Sequence, residues 1–413
     1  MRILIFLFIL LALDIYAFQA FRFLLQNWSA SARNIMYVVY WTIPVLAIGT
    51  LIVTNYVDVS GWNSNFKTYW RTFIFIAYIS KLPLVGILLV DDLRRLVLWI
   101  SSQFSKGVPV DLSRSKFLTR AAIVAGALPF TSLLYGMVRN PYRYKLYREK
   151  VSLGRLPKAL EGLKIIQISD IHSGSFTFKE PIQLAIDLIN QEKPDLVFFT
   201  GDLVNNVATE MEPYIDLFDK IEAKYGVYSV LGNHDYGDYV RWKDDQAKTE
   251  NMELLKATHK RLGWDLMLNE HRQVEINGEQ VAILGVENYS MHLRFPKYGD
   301  LQKACEDCGP AALKLLLSHD PSHWEGQVIK DYQDIDITFS GHTHGMQFGV
   351  EIPGWFQWSP IQYVYKQWAG LYQKGEQYLY VNRGLGFLGY PGRVGILPEI
   401  AVIELEKSDR SLG

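Results

Sequence analysis

Long apolar runs crowd the first third of the chain, and a different rhythm follows them. Residues 3 to 25 are nearly continuous Ile, Leu, Phe and Ala, interrupted by Asp14. Residues 35 to 54 and 69 to 90 each approach the roughly 20 residues that a helix needs to cross a bilayer. Residues 121 to 137 are shorter and richer in Ala and Gly. A cleaved secretory signal would lead into soluble sequence, whereas further apolar runs follow here. Four membrane helices are therefore predicted, with three as the fallback. Trp41, Tyr69, Trp70 and Trp99 suit interfacial anchoring. Asp14 and Lys81 fall inside spans, where charge is costly, and packing within the helix bundle is the expected account of both.

Residues 138 to 162 read as a basic, aromatic connector with a strand-like segment from Tyr144 to Leu153 and a Gly-Arg-Leu-Pro turn. From Leu163 onward, short apolar runs alternate with amphipathic ones. Pro181 to Glu192 predicts a helix with Pro in its first turn and Ile182, Ala185, Ile186 and Ile189 on one face. Helices are also predicted over Pro213 to Tyr225 and Asn251 to Leu262. Val274 to Ile283 alternates around Asn277-Gly278, the signature of a two-residue hairpin. Two face-to-face sheets with helices outside would bury all of these elements. The resulting division is a membrane region over 1–137, a connector and first strand over 138–162, and a soluble domain over 163–407.

The chemistry sits at the ends of the apolar runs. Leu163 to Ser169 leads at once into Asp170-Ile-His172. Three more strand-then-ligand units follow: Gly201-Asp202, Gly232-Asn233-His234-Asp235 and Gly341-His342-Thr343-His344. His319-Asp320 ends another apolar run between the last two. Open α/β sheets place their ligands at such carboxyl ends. A lone Asp-x-His is a weak signal, but five units in a fixed order are not.

This ordered set resembles the calcineurin-like metallophosphoesterase superfamily over residues 145 to 407, and within it the membrane-associated bacterial phosphodiesterases of the YkuE and YaeI type. The resemblance implies a four-layer αββα sandwich, here preceded by an α-helical membrane region. Four His, two carboxylates and an amide oxygen are too many donors for one tetrahedral ion and suit two divalent ions with mixed N and O ligation. With no thiolate among them, Mn, Fe or catalytic Zn is expected. By resemblance, Asp170, His172 and His344 hold one ion, Asn233, His319 and His342 the other, and Asp202 bridges them. Such a pair activates water and clamps a phosphoryl group. His234 resembles the acid that protonates the leaving oxygen, with Asp235 orienting its ring and Asp320 supporting His319. Asn382-Arg383-Gly384-Leu385-Gly386 resembles a late glycine-rich loop in which Arg383 meets the substrate phosphate, and Arg393 belongs to a closing segment that packs.

Composition narrows the partners. A net charge of −1 over 413 residues argues against a general nucleic-acid binder. Cys305 and Cys308 are the only cysteines, and a zinc ribbon would need a second pair. His259, His271, His292 and His323 match no motif and are expected to be surface or satisfied histidines. The segment from Asp91 to Arg120 reads as a loop carrying Arg94, Arg95, Lys106, Arg114, Lys116 and Arg120, which places it in the cytoplasm by the positive-inside rule and the catalytic domain outside a bacterial plasma membrane. Arg139, Arg143, Lys145, Arg148 and Lys150 pull the other way. Ile352 to Tyr372 holds Trp355, Phe356, Trp358, Tyr363, Tyr365, Trp368 and Tyr372, which suit a hydrophobic wall, a membrane-dipping surface or core packing.

The expected function is a membrane-anchored phosphoesterase acting on diester or pyrophosphate bonds, with a lipid-linked substrate favoured by the aromatics and the tether. A pyrophosphatase of lipid A synthesis acting on UDP-2,3-diacylglucosamine, which would need a cytoplasmic site, and a metal-binding membrane sensor without turnover are the alternatives.

Overall fold

The structure is a computed structural model that describes residues 2–57, 59, 61–104, 111, 113–352 and 354–408. The chain divides into two compact units, Met1–Tyr135 and Gly136–Gly413.

Helices α1 (Arg2–Leu24), α2 (Ala30–Tyr56), α3 (Ser64–Ile79), α4 (Lys81–Phe104) and α5 (Lys116–Arg139) account for the apolar runs. The side chains of Ser29 and Asn63 start α2 and α3 by accepting the N–H groups of Ala32 and Phe66. Because α4 follows α3 almost directly, Asn65–Phe104 forms one stretch, and the described residues contain four stretches long and apolar enough to cross a membrane. The segment expected to be a loop from Asp91 is instead helical as far as Phe104. Asp91 does not stop the helix because its charge is answered where it lies: it is fully buried, 2.9 Å from Arg94 Nε one turn on and within reach of the Ser115 N–H. Lys106, named in that segment, lies outside the described residues. Asp14 is buried too, and its carboxylate takes the Lys81 ammonium and the Tyr78 hydroxyl.

The second unit contains strands β1 (Lys145–Leu153), β2 (Lys164–Ile168), β3 (Leu196–Phe199), β4 (Val227–Ser229), β5 (Asp265–Leu266), β6 (Glu270–Ile276), β7 (Glu279–Gly285), β8 (Leu313–Leu317), β9 (Ile337–Ser340), β10 (Val350–Ile352), β11 (Phe356–Trp358), β12 (Gly370–Lys374), β13 (Gln377–Val381) and β14 (Glu399–Lys407). One six-stranded sheet runs β1-β14-β2-β3-β4-β5 and the other β12-β13-β9-β8-β7-β6. The β2–β5 run and the β13-β9-β8-β7 run are parallel.

Period-two alternation sorts these strands into four layers. Ile165, Phe198, Leu315, Phe339, Tyr380 and Ile403 meet between the sheets. Their neighbours Ile166, Val197 and Phe199 turn to the far side of the first sheet and pack on Ile182, Ala185, Ile186 and Ile189 of α6 (Glu180–Gln191). Leu316, Leu284 and Val381 turn to the far side of the second and pack on Leu301, Ala304, Trp324 and Val328. Each such apolar side chain contributes about 1.5–3 kcal/mol on burial. The expected αββα sandwich and the Asn277-Gly278 hairpin are both present.

Two helices differ from expectation. Over Pro213–Tyr225 only Ile215–Phe218 is α-helical, after a 3-10 turn from Ala208 to Tyr214. The Asn190 side chain takes the Lys220 carbonyl and the Glu222 N–H, while Asn251 takes the Ala208 N–H, so tertiary bonds compete with helix propagation at both ends. The helix expected from Asn251 begins at Asp245, where Asp244 caps it by accepting the Ala247 N–H. Its first turns are polar and carry no apolar period.

Candidate metal centre

The parallel strands aim their carboxyl ends at one place. Asp170 and His172 follow β2, Asp202 follows β3, Asn233 to Asp235 follow β4, His319 follows β8, and His342 and His344 follow β9. The backbone reverses sharply there. Asp170, His172, Asp202, His342 and His344 have φ of 51°, 46°, 61°, 70° and 52°, in the left-handed region that costs a non-glycine residue about 1–3 kcal/mol. Such strain persists only where the surroundings over-determine it. Here Asp170 N–H donates to Gly201 O (2.9 Å), His172 N–H to Asp202 O (3.1 Å) and Gly386 N–H to Asp170 O (2.9 Å).

Two glycines show why the motifs read Gly-Asn and Gly-His. A Cβ on Gly232 would lie 2.3 Å from Asp202 Oδ1, and one on Gly341 would lie 1.9 Å from Ser169 Oγ and 2.3 Å from Asp170 Oδ2. The carboxylates occupy the space that any side chain would need.

The ligand atoms crowd together. His172 Nε2 lies 3.1 Å from His344 Nε2, which lies 3.1 Å from Asp170 Oδ1. Asp202 Oδ2 lies 3.5 Å from His172 Nε2 and 3.2 Å from His319 Nε2, so it stands between two groups of imidazoles. His319 Nε2 is 3.3 Å from His342 Nδ1. With bonds of about 2.1 Å, neighbouring ligand atoms on one ion stand about 3.0–3.4 Å apart, so these spacings suit metal coordination. Asp170, His172 and His344 form one candidate cluster, and Asp170, Asp202 and His319 a second. Buried Asn233 Oδ1 has no hydrogen-bond partner, while its amide nitrogen donates to the Tyr239 hydroxyl (2.9 Å). An orphaned buried oxygen is what a cation would satisfy. The donor set therefore fits divalent metal.

The groups around the ligands fix their tautomers. His319 Nδ1–H donates to Thr200 O (2.7 Å), so Nε2 is the nitrogen turned toward Asp202 and carries the lone pair whenever the ring is neutral. His342 Nε2–H donates to the Tyr365 hydroxyl (2.8 Å), and that hydroxyl donates to Asp320 Oδ2 (3.0 Å). His342 thus offers Nδ1 inward, at the end of a Tyr365–Asp320 relay. Tyr365 was not singled out as a site residue from the sequence, and its place among the aromatics after His344 was the only signal. Asp320 serves His342 through Tyr365 rather than His319.

Electrostatics follow the same geometry. Burial opposes charge on Asp170 and Asp202, but neighbouring histidine charge outweighs it and holds both well below the usual carboxylate range. Burial pushes His172 down to about 3 and lowers His342. Burial also opposes charge on His319, yet the Asp202 carboxylate raises it to about 10.

The residues expected to act on substrate part company. His234 stands beside the ligands, its ring centroid 5.0 Å from that of His172, and its Nδ1–H donates to Asn205 O (2.7 Å) so that Nε2 is the atom able to exchange a proton. Asp235 does not orient that ring. Its carboxylate accepts the N–H groups of Asp202, Leu203 and Gly232 at 2.8 Å and of Val204 at 3.3 Å, clamping the Asp202 turn. Burial pushes it up to about 7 while those N–H groups oppose the rise. Arg383 does not face a substrate either: it is 3% exposed and paired with Glu399 (2.7 Å) and Glu351 (2.5 Å). Arg393 packs as expected, donating to the carbonyls of Arg383, Gly384 and Gly386. Among the unassigned histidines, His259 is buried against Ser229 Oγ (3.0 Å), His271 Nδ1 pairs with Ala304 O (3.0 Å), His323 lies between Ser318 and Gln327, and the His292 ring lies tilted beside that of Tyr365. Both cysteines are free thiols.

A two-sheet sandwich that gathers histidine and carboxylate ligands at its parallel strand ends, joined to membrane-length helices, defines a membrane protein with a metal-dependent hydrolase fold. Residues 163–346 match the calcineurin-like phosphoesterase family, and residues 1–141 match the family described as the transmembrane domain of a probable calcineurin-like phosphoesterase. The chain is 30% identical over 305 residues to the uncharacterized metallophosphoesterase YkuE of Bacillus subtilis, covering 72% of this chain and 99% of that one. It is 28% identical over 298 residues to the transmembrane protein with metallophosphoesterase domain of Danio rerio, covering 70% of this chain but 63% of that longer protein. The uncharacterized metallophosphoesterase YkoQ of Bacillus subtilis is 27% identical over 285 residues, with 66% and 94% covered. The chain belongs to the calcineurin-like metallophosphoesterase family and is a membrane protein of the YkuE type.

Proposed function

We propose that this protein is a two-metal phosphodiesterase or pyrophosphatase acting on a lipid-linked substrate. The observation that carries the reading is Asp202 Oδ2, placed between His172 and His319. Asp170, His172 and His344 would hold one ion, and Asn233, His319 and His342 the other. Two divalent ions, Mn, Fe or Zn, supply a nucleophilic water and charge stabilisation of the phosphoryl group. Within that frame Asp202 joins the two halves, Tyr365 and Asp320 keep His342 oriented, and the Asp235 clamp holds the Asp202 turn. His234, anchored through Nδ1, delivers a proton from Nε2 to the departing oxygen.

The catalytic domain is assigned to the outer side of a bacterial plasma membrane. Arg94 and Arg95 in the last three turns of the Asn65–Phe104 stretch, Arg114 after it, and Lys116 and Arg120 in the first turns of Lys116–Arg139 gather at the junction of the last two spans and favour a cytoplasmic placement there. Of the opposing charges, Arg148 and Lys150 belong to strand β1 of the folded domain, where they pair with Glu192 and Glu406. Arg94, Arg95 and Arg114 are paired as well, with Asp91 and Asp92, so pairing does not separate the two groups and the basic cluster at the junction of the last two spans carries the assignment.

The test is hydrolysis of a chromogenic phosphodiester by the solubilised, Mn-supplied protein beside Asp202→Asn. The expected result is turnover that falls at least about 10³-fold in the variant, since charge stabilisation by the bridged ions supplies several kcal/mol. Equal background in both would sink the reading. Comparing a soluble diester with a diacyl phosphodiester in mixed micelles then tests the lipid assignment, which fails if both are turned over alike.

A further inference from the structure

The ribbon formed by β10 and β11 holds an acid inward while it leaves apolar side chains exposed, with Gln357 exposed and Trp358 half-buried. Val350 faces Trp358, Glu351 faces Gln357 and Ile352 faces Phe356 across its two strands. Cross-strand partners share a face, and faces alternate along each strand. Val350, Ile352, Phe356 and Trp358 therefore line one side, with Glu351 and Gln357 on the other. In a sheet with one buried face the apolar side turns inward. Here it is Glu351 that is held inward, accepting from the Tyr147 hydroxyl (2.7 Å) and Arg383 Nη2 (2.5 Å). Val350, Ile352 and Phe356 are 45%, 43% and 48% exposed, and Trp355 at the turn is 80% exposed.

A slip of one residue would reverse the faces, but the Glu351 anchor forbids it. The sequence and its anchoring thus present an apolar face to the outside. Tyr363 and Val364 extend that surface at 78% and 58% exposure.

The ribbon is continuous with the metal centre. It leaves the ligand His344 through a left-handed turn at Gly345 and Met346, and Ser359 Oγ at its exit donates back to Gly345 O (2.8 Å). Tyr365 then reaches His342. The His292 ring lies 4.6 Å from that of Tyr365 and brings in a second exposed apolar pair, Met291 and Leu293.

We propose that the Val350–Trp358 ribbon dips into the headgroup region of a lipid bilayer, with Trp355, Phe356 and Tyr363 as its inserting side chains. Three observations choose this occupant. The four membrane-length stretches of the same chain keep a bilayer always within reach. The exposed tip carries Trp, Phe and Tyr, the residues of the membrane–water interface. Exposed Arg294 and Lys366 beside these apolar side chains suit anionic headgroups. Single exposed apolar residues are ordinary on a soluble protein, but a contiguous patch of this kind marks a contact surface.

The test uses the full chain in nanodiscs of equimolar phosphatidylcholine and phosphatidylglycerol. W355C and, separately, Y363C are introduced in a C305A/C308A background and labelled with an environment-sensitive nitrobenzoxadiazole. Q280C, labelled in the same background, is the control: it lies at the amino end of β7, the pole of the parallel sheet opposite the ligands. Labels at 355 and 363 should be quenched by doxyl-bearing lipid and be several-fold less sensitive to aqueous iodide than the label at 280. Iodide quenching at 355 and 363 equal to that at 280 overturns the proposal. So does protection from both quenchers, which would place the ribbon against protein, such as a second copy of the chain. The readout does not depend on turnover, so it stands apart from the assignment of activity.

Discussion

Both units of the chain bury carboxylates, and they neutralise them in different ways. In the membrane unit Asp14 meets Lys81 and the Tyr78 hydroxyl, and Asp91 meets Arg94. Each acid has a permanent cation within its own fold. In the phosphoesterase unit Asp170 and Asp202 meet imidazoles instead. A histidine is a cation only when protonated, and its lone pair is equally a metal ligand. The first arrangement is closed, whereas the second stays open to whatever positive charge the surroundings supply. Buried charge alone therefore does not mark a site; the chemistry of its partner does.

The sharpest way to probe the open arrangement is to leave the metal ligands alone. His234→Gln removes the proposed proton donor without touching a proposed ligand, and kcat should fall about 10²–10⁴-fold while bound metal, counted by elemental analysis, is unchanged. If metal is lost along with rate, His234 belongs to the coordination set and the division of roles drawn above is wrong.

The closed arrangement is tested by breaking one partner. Lys81→Met strands the Asp14 carboxylate among apolar helices and should destabilise the membrane unit by about 3–5 kcal/mol. The Asp14→Asn/Lys81→Met double variant, which removes both charges, should recover most of that loss in thermal melting in detergent. Hydrolysis of a soluble diester by the folded protein should be the same in both variants. No recovery in the double variant would mean that Asp14 and Lys81 do more than neutralise each other.

The convergence of the candidate ligands was readable because each follows an apolar strand directly, so chain order brings Asp170, Asp202, His319 and His342 to the same end of two sheets. The supporting groups were harder to read because they are chosen across long separations. Tyr365 reaches both His342 and Asp320 from a loop, and Thr200 holds His319 through a carbonyl that carries no residue identity. Asp235 and Arg383 were misread for one reason. A charged residue beside a motif can turn toward substrate or toward the backbone, and only packing decides. Asp235 turned to four N–H groups, and Arg383 to Glu351 and Glu399. Helix limits failed where side chains intervened, as at Asp91, whose charge is matched locally, and at Phe218, where Asn190 ends the helix.

A buried histidine takes neither course and supplies the control. His259 is fully buried, with Nδ1 3.0 Å from Ser229 Oγ and Trp264 and Phe199 around its ring, and neither a cation nor a carboxylate is among these partners. Burial pushes its imidazole down to about 3, below the ordinary value near 6.5. The native state keeps it neutral while the unfolded chain takes up a proton. Its contribution to stability is therefore complete above pH 6.5 and is lost as the pH falls from there toward 3. By pH 5 the loss should reach about 2 kcal/mol. His259→Phe removes the titrating group, so its melting temperature in detergent should fall less between pH 7 and pH 5 than that of the parent, whatever its stability at pH 7. Equal acid sensitivity would show that this site is hydrated or protonated in the native state. It would also remove the contrast between an imidazole kept neutral by burial alone and His319, which the Asp202 carboxylate raises against burial.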